Sequence, residues 1–502
     1  MPTSFFQYEM LPTTWFYLSA LMIIAIFFRF NRFWSVRNLD LLGLIMLGTG
    51  LLYLAMYDNQ YGYFWIFAVQ LFFICRLFFD TVMVRRPLLE PNLTPGGLTF
   101  ACIALLGFFC ANIAVNRGER VDSTRTVRLD QILTLENDAD NSDLALKHDF
   151  RDYPGCRPFF VWTEKNNHVV GASSSLLPQL EARKNFPKHK SDSGDRTDDS
   201  TILPVEPITT ISTIPITVSE ISATVPGETN LLNSAISTWE TPGQAAKSES
   251  KPDTLSVADS FCLIAIISSH FLIVLAFLII GHSHFGNIRT GIAAATLYLL
   301  LPYTNQLIGR LDHFIPGAFI LWAIVFYRRP VFSGMMIGAA AALVFYPIFL
   351  LPLWCGFYWK RGWIRFLGGV VFVNVLFISM IFCTPQEYGS FAEQVANYFG
   401  RGSFVLNHPE GVWQVWPAFY RIPVIAMFLV FSVGMILWPS HKHLATLLSC
   451  SAIIIIGTQF WQPHQGGLYM AWYLPLLILT VFRPNLEDRI AQTTVVDLRY
   501  FF

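Results

Sequence analysis

Between two short apolar segments of about a dozen residues each lies the polar run Tyr303-Thr-Asn-Gln-Leu-Ile-Gly-Arg-Leu-Asp-His313. Within it Arg310, Asp312 and His313 fall inside one helical turn, with Asn305 and Gln306 just upstream. A carboxylate beside a cation stays ionised, so Asp312 reads either as a general base or as the anchor of a cationic partner. Arg310 offers a planar fork suited to phosphate. The same pair also reads as an interhelical salt bridge or a helix cap.

A second constellation follows in Ser403 to Arg421, where His408 and Glu410 bracket a proline and Trp413, Trp416 and Tyr420 come after. Aromatic faces beside hydrogen-bonding groups suit sugar stacking, and Arg401 and Arg421 at its edges suit phosphate. Trp and Tyr are equally the residues of a membrane interface. Further polar groups are Gln462, His464, Gln465 and Tyr469 in one connection, and Asp58, Asn59 and Gln60 in another, where Asp58 is the only acid.

The elements that must position these residues are set by composition. Hydrophobic residues make up 53% of the 502 positions and charged residues only 14%, which places the chain among polytopic membrane proteins. Apolar stretches near the ~20 residues that cross a bilayer run from Leu11 to Phe28, Leu41 to Tyr57, Tyr61 to Phe79, Leu98 to Ala114, Phe261 to Ile280, Phe366 to Phe382, Pro423 to Trp438, Leu444 to Phe460 and Leu468 to Phe482. With the two short segments beside residues 303–313, the expectation is an all-α, polytopic transmembrane helical bundle of about eleven full spans.

Pro330 to Trp359 is treated apart, because a single crossing would invert every later connection. Its apolar length is too small for two crossings at ~20 residues each, and Tyr346-Pro347 interrupts it. It reads as a re-entrant helical pair turning near Pro347 and buried against protein. Gly334 and Gly338 form a small-xxx-small pattern suited to close helix packing.

The residues before Trp15 carry Glu9 and no Lys or Arg, whereas Arg29, Arg32 and Arg37 follow the first apolar segment. This does not read as a cleavable signal, and the positive-inside rule puts the N-terminus outside. Inner connections are then Arg29 to Arg37, Arg76 to Arg86, His282 to Arg289, Tyr327 to Pro330, Trp359 to Arg365, Ser440 to His443 and a cytoplasmic tail, 483–502. Outer connections are Asp58 to Gln60, 303–313, 384–421 and 461–467.

These assignments divide the chain into N-terminal membrane helices (1–115), a polar extracytoplasmic insertion (116–258) and a C-terminal membrane core (259–482). From about residue 181 the insertion is rich in Ser, Thr and Pro and has too little apolar surface to offset ordering, so it reads as disordered. The net charge of +0 gives no basis for nucleic-acid binding. Of the eight cysteines only Cys156 lies in the polar insertion, so neither a disulfide framework nor metal-ligand spacing follows.

The run Tyr303-Thr-Asn-Gln, then Leu321-Trp322, Tyr327-Arg-Arg-Pro330, Gly334-Met-Met-Ile-Gly338, Tyr346-Pro347 and Trp359-Lys-Arg-Gly-Trp363 resembles the membrane core of polyprenol-phosphate-dependent glycosyltransferases of the GT-C class, in particular the alpha-mannosyltransferase-like family. The resemblance covers roughly residues 291–366. It implies sugar transfer from a lipid-phosphate donor at the outer face, with an outer acid as general base: Asp58 or Asp312. It further implies Arg310, Arg401 and Arg421 on phosphate, His408 and Glu410 on the acceptor or a divalent cation, and Trp413 with Trp416 against the sugar. Membrane lipid is the expected partner, and the charge bias fits a bacterial inner (plasma) membrane. The competing readings are a transporter or lipid-handling protein, in which Arg310 and Asp312 form a gate, and a scaffold that presents the insertion.

Overall fold

A computed structural model of the chain describes residues 12–57, 61–80, 90–113, 257–306, 310–382, 390–404, 412–440, 442–463, 466–484, 486, 489–491 and 495. The chain divides into two units, Met1–His168 with Ser256–Phe502, and Val169–Leu255. All described residues belong to the first, so the expected disorder of the insertion lies outside them.

All regular structure among the described residues is helical apart from one isolated bridge between His443 and Ile490. The helices are α1 (Pro12–Phe27), α2 (Val36–Tyr57), α3 (Tyr61–Asp80), α4 (Pro95–Ile113), α5 (Val257–Ser283), α6 (Ile288–Leu300), α7 (Pro302–Gln306), α8 (Leu311–Val325), α9 (Pro330–Leu343), α10 (Leu351–Tyr358), α11 (Trp363–Phe382), α12 (Phe391–Tyr398), α13 (Arg401–Phe404), α14 (Val412–Val415), α15 (Arg421–Gly434), α16 (Leu444–Gln459) and α17 (Leu474–Phe482).

Five of these are long and apolar enough to cross a membrane: within Val36–Leu54, Tyr61–Asp80, Pro95–Ile113, Leu263–Ser283 and Trp363–Phe382. The eleven crossings expected from hydropathy exceed this number. At 1.5 Å per residue, helices of 13–16 residues such as α1, α6, α8 and α16 reach only ~20–24 Å of a ~30 Å core. The shortening has local causes. Leu301 is extended before Pro302, which ends α6 and starts α7 anew. A 3-10 turn at Met470–Trp472 and Pro475 delay the start of α17.

The Pro330–Tyr358 segment is two helical arms. The first, α9, ends at Leu343, Val344 is extended, and a 3-10 turn over Tyr346–Leu350 carries the chain into α10. The break falls three residues before Pro347. The far end of the second arm returns to the start of the first: the Tyr358 hydroxyl donates to the Tyr327 carbonyl at 2.5 Å, and Gly362 lies against the Pro330 ring. Gly362 has φ +103°, a conformation that side-chain-bearing residues rarely adopt, and a Cβ there would also meet Pro330 Cγ at 2.8 Å.

Helix α11 then runs parallel to α9, since Gly334 faces Phe366 and Gly338 faces Val370, four residues on in each helix. A Cβ on Gly334 would overlap the Phe366 carbonyl, and one on Gly338 would lie 3.0 Å from the Val370 carbonyl. The small-xxx-small pattern is therefore a backbone contact, and Gly369 answers it from α11 by abutting Val331.

Polar contacts knit the connections into two sets. In the first, Arg37 donates to the carbonyls of Phe27 and Glu90, Arg289 to Leu93, and Arg483 to Asp80. His284 contacts Val325, and Leu444 N–H donates to Arg489. In the second, Asn112 pairs with Asn305, Tyr303 with His313 and Ala471, Trp413 with Phe460, and Arg421 with Trp461.

His284 belongs to the first set. Its Nε2 lies 3.1 Å from the Val325 carbonyl and its ring stands edge-on to Tyr327. Burial pushes its pKa down to about 4, with Arg328 and Arg489 adding repulsion and the Val325 carbonyl opposing them. The folded protein holds the ring neutral while the unfolded chain protonates near the ordinary value, so this contribution is complete above pH ~6.5 and is lost as pH falls toward 4. The loss amounts to roughly 3 kcal/mol. The unfolding midpoint in detergent is expected to drop between pH 7.5 and 4.5 in the wild type, and by clearly less in His284→Gln.

Candidate functional site

Asp312 sits in the first turn of α8, where the helix dipole favours negative charge. Arg310, the residue before the helix, turns back on it: Nε reaches Oδ1 at 3.2 Å and Nη2 reaches Oδ2 at 3.1 Å. The Asp312 side chain is 3% exposed and that of Arg310 33%. The pair therefore shows its cation outward and hides its carboxylate.

His313 is also buried. Ala471 N–H donates to Tyr303 Oη at 3.0 Å, and His313 Nδ1 is 2.6 Å from the same oxygen. Tyr303 has one proton to give, and Nδ1 is the acceptor in reach, which leaves the His313 proton on Nε2. That nitrogen faces Asp312 Oδ2 at 3.7 Å. From α8 the Asp312 carbonyl accepts from Trp472 Nε1 at 2.9 Å.

Aromatic rings carry the cluster across the bundle. His313 lies 4.5 Å from Tyr469, Tyr469 stacks on Trp472 at 4.5 Å, Trp472 on Tyr346 at 5.6 Å, and Tyr346 meets Trp461 at 5.3 Å. Tyr346 is at the tip of the two-armed hairpin. At the far end of the wall, Arg421 is fully buried and donates to the carbonyls of Trp461 and Ser403. One surface thus joins 303–313, the hairpin tip, 403–421 and 461–473.

Other expected residues fall elsewhere. Asn305 accepts from Asn112 at 3.0 Å, tying α7 to α4. Trp413 is buried with its Nε1 on the Phe460 carbonyl at 3.1 Å, whereas Trp416 is half exposed beside Phe64. Arg401 is exposed at the start of α13. Asp58, His408, Glu410 and His464 lie outside the described residues, as does the side chain of Gln306.

Chemically, the guanidinium of Arg310 holds both oxygens of Asp312. Arg421, assigned to phosphate on sequence grounds, is sealed among backbone carbonyls. Arg310 is the cation of the cluster that solvent reaches. Behind Tyr303 lies an apolar void of about 10 Å³, lined by Leu44, Leu301, Pro302 and Met470 among others, large enough for one water and too small for a sugar. Among the described residues no three His, Cys, Asp or Glu side chains gather as metal ligands.

A second charged constellation was not singled out from the sequence. Arg76 grips Asp40 through Nε and Nη2, both at 2.9 Å, and Asp80 through Nη1 at 3.2 Å, while Arg483 Nη2 reaches Asp80 at 2.6 Å. Two carboxylates and two guanidiniums are thereby matched in the interior. A usable signal was present, because Arg76 and Asp80 stand at i,i+4 in an otherwise apolar segment.

No protein-family model, no curated protein and no solved structure matches this chain.

Proposed function

We propose that this multi-pass helical membrane protein is a GT-C-like glycosyltransferase that takes a sugar from a polyprenol-phosphate donor at the outer face of a bacterial inner membrane. The topology that goes with it has eleven crossings, an outer N-terminus, a cytoplasmic tail, and Pro330–Tyr358 as a re-entrant pair. The observation that carries the reading is the continuous wall from His313 through Tyr469, Trp472 and Tyr346 to Trp461. It gathers four separated stretches of polypeptide at one end of the bundle; its rings are 0–5% exposed, so the exposed Trp416 is the ring left to meet a sugar face.

In this reading an acceptor hydroxyl attacks the anomeric carbon, the bond to the lipid phosphate breaks, and the hydroxyl proton passes to a carboxylate. Asp58 is assigned as that base, because Asp312 is committed to Arg310. Helix α3 begins three residues after Asp58, and Phe64 on it approaches Trp416 at 6.4 Å. Arg310 and Arg401 stabilise the leaving phosphate as its charge develops.

The test is consumption of lipid-linked sugar in membranes that hold wild type, Asp58→Asn or Arg310→Ala. Asp58→Asn is expected to lose at least ~100-fold in rate, and wild-type consumption by both variants would rule the reading out. One observation favours a lipid-handling reading instead: Asp312 is 3% exposed and held at two points, as a shut gate would be. That alternative gains if Asp58→Asn is silent while Arg310→Ala speeds lipid movement between leaflets.

A further inference from the structure

Charge assigns residues 384–421 to an outer connection, yet α12 packs on the flank of α11 and not beyond its end. The Tyr398 hydroxyl donates to Asn374 Oδ1 at 2.6 Å, and Asn374 lies eight residues before Phe382, the last residue of α11, which is about 12 Å along the helix axis. At the start of α12 the Phe391 ring meets Phe382 at 5.7 Å. Tyr398 is buried against Ile381 and Ala342, and Gly400, at φ +81°, then abuts the Phe345 ring beside the hairpin tip. Because Trp363–Phe382 is long and apolar enough to cross a membrane, α12 sits alongside apolar helix.

At 3.6 residues per turn the short helix divides into three sectors. Gln394 and Tyr398 are buried and face the bundle. Glu393 and Asn397, one turn apart, are exposed and form a polar stripe. Nearly opposite that stripe, Phe391, Val395 and Phe399 follow one another at four-residue spacing, with Phe391 46% and Phe399 47% exposed. A capping box between Ser390 and Glu393 fixes where the helix starts. An apolar face opposed to a polar one is what a helix at a membrane boundary presents. This face also runs on into the outward surface of α11, where Phe372, Val375 and Phe382 are 59%, 59% and 76% exposed.

We propose that α12 is an interfacial helix seated in the bilayer, with Phe391, Val395 and Phe399 among the acyl chains of the leaflet on the hairpin-tip side and the Glu393–Asn397 stripe turned to headgroups and water. The occupant is lipid because the apolar face continues a surface that a crossing helix gives to hydrocarbon. Part of a connection expected wholly outside the membrane thus returns to it. The inference stands whether or not the chain transfers a sugar.

The experiment places the photoreactive residue p-benzoylphenylalanine at position 391, 397, 399 or, as the reference on α11, 372, each in the full chain reconstituted into phosphatidylcholine vesicles. After irradiation the peptides are read by mass spectrometry for acyl-chain adducts. Positions 391 and 399 are expected to carry adducts as abundantly as 372, and position 397 several-fold fewer.

No adducts at 391 and 399 would overturn the proposal by putting α12 in water. Equal yields at 397 and 399 would overturn it by removing the difference between the two faces, and crosslinks from 399 to a second copy of the chain would do so by naming a protein as occupant. Should the substituted chains not fold, the wild type decides: an apolar aryl diazirine dissolved in the same bilayer is expected to label the peptide that holds Phe391 and Phe399, and a blank there beside a labelled α11 would overturn the placement.

Discussion

Arg76→Ala is expected to destabilise the helical bundle by about 3–5 kcal/mol, the cost of removing one partner from a buried ion pair. The side chain is 11% exposed and bonds both Asp40, at 4%, and Asp80, at 0%. Alanine leaves the Asp40 carboxylate without the two charge-assisted bonds drawn at 2.9 Å, while Asp80 retains Arg483 at 2.6 Å. Two of the three Arg76 bonds are to Asp40, so adding Asp40→Asn to Arg76→Ala is expected to restore much of the loss. Arg483→Ala is expected to cost less than Arg76→Ala, because Asp80 still keeps Arg76. Thermal unfolding of the four proteins in one detergent measures this order, and an Arg76→Ala midpoint equal to wild type would mean that the network contributes little.

The features readable from sequence were those set by local physics. The interruption at Tyr346-Pro347 and the basic turns on both sides of Pro330–Trp359 predicted a segment that comes back on itself, and its ends do meet at Tyr327–Tyr358 and Pro330–Gly362. Gly334 and Gly338 advertised a close helix contact because a missing side chain is useful where backbones touch.

Crossing number was less legible. Hydropathy sees apolar length and is blind to the extended Leu301 before Pro302 or the 3-10 turn at Met470–Trp472, each of which cuts an apolar run into shorter helices. The site was half legible for a similar reason. The pairing of Arg310 with Asp312 is written two residues apart, but what covers Asp312 and His313 comes from Tyr469 and Trp472, about 160 residues later. Composition cannot say that such neighbours close over a carboxylate, nor that Arg421 spends its guanidinium on the carbonyls of Ser403 and Trp461. The network of Asp40, Arg76, Asp80 and Arg483 escaped because each member sits beside a turn, where charge is ordinary.

The pair Arg310→Ala and Arg310→Ala/Asp312→Asn separates a structural ion pair from a working one. Alone, Arg310→Ala leaves a carboxylate that is 3% exposed, and the next ionisable group among the described residues is His313, its Nε2 at 3.7 Å. The expected loss is about 2–4 kcal/mol, somewhat under the figure for a fully buried pair because Arg310 itself is 33% exposed. Adding Asp312→Asn removes the stranded charge and keeps the shape, so most of that stability is expected to return. Activity should not return with it. A fork that meets phosphate acts through its cation, and the double variant has none at this position, so consumption of lipid-linked sugar is expected to stay at least ~10-fold below wild type even when the protein unfolds at the wild-type midpoint. If stability and consumption recover together, the Arg310–Asp312 pair only fastens the start of α8, and the phosphate contact must be sought at another cation such as Arg401.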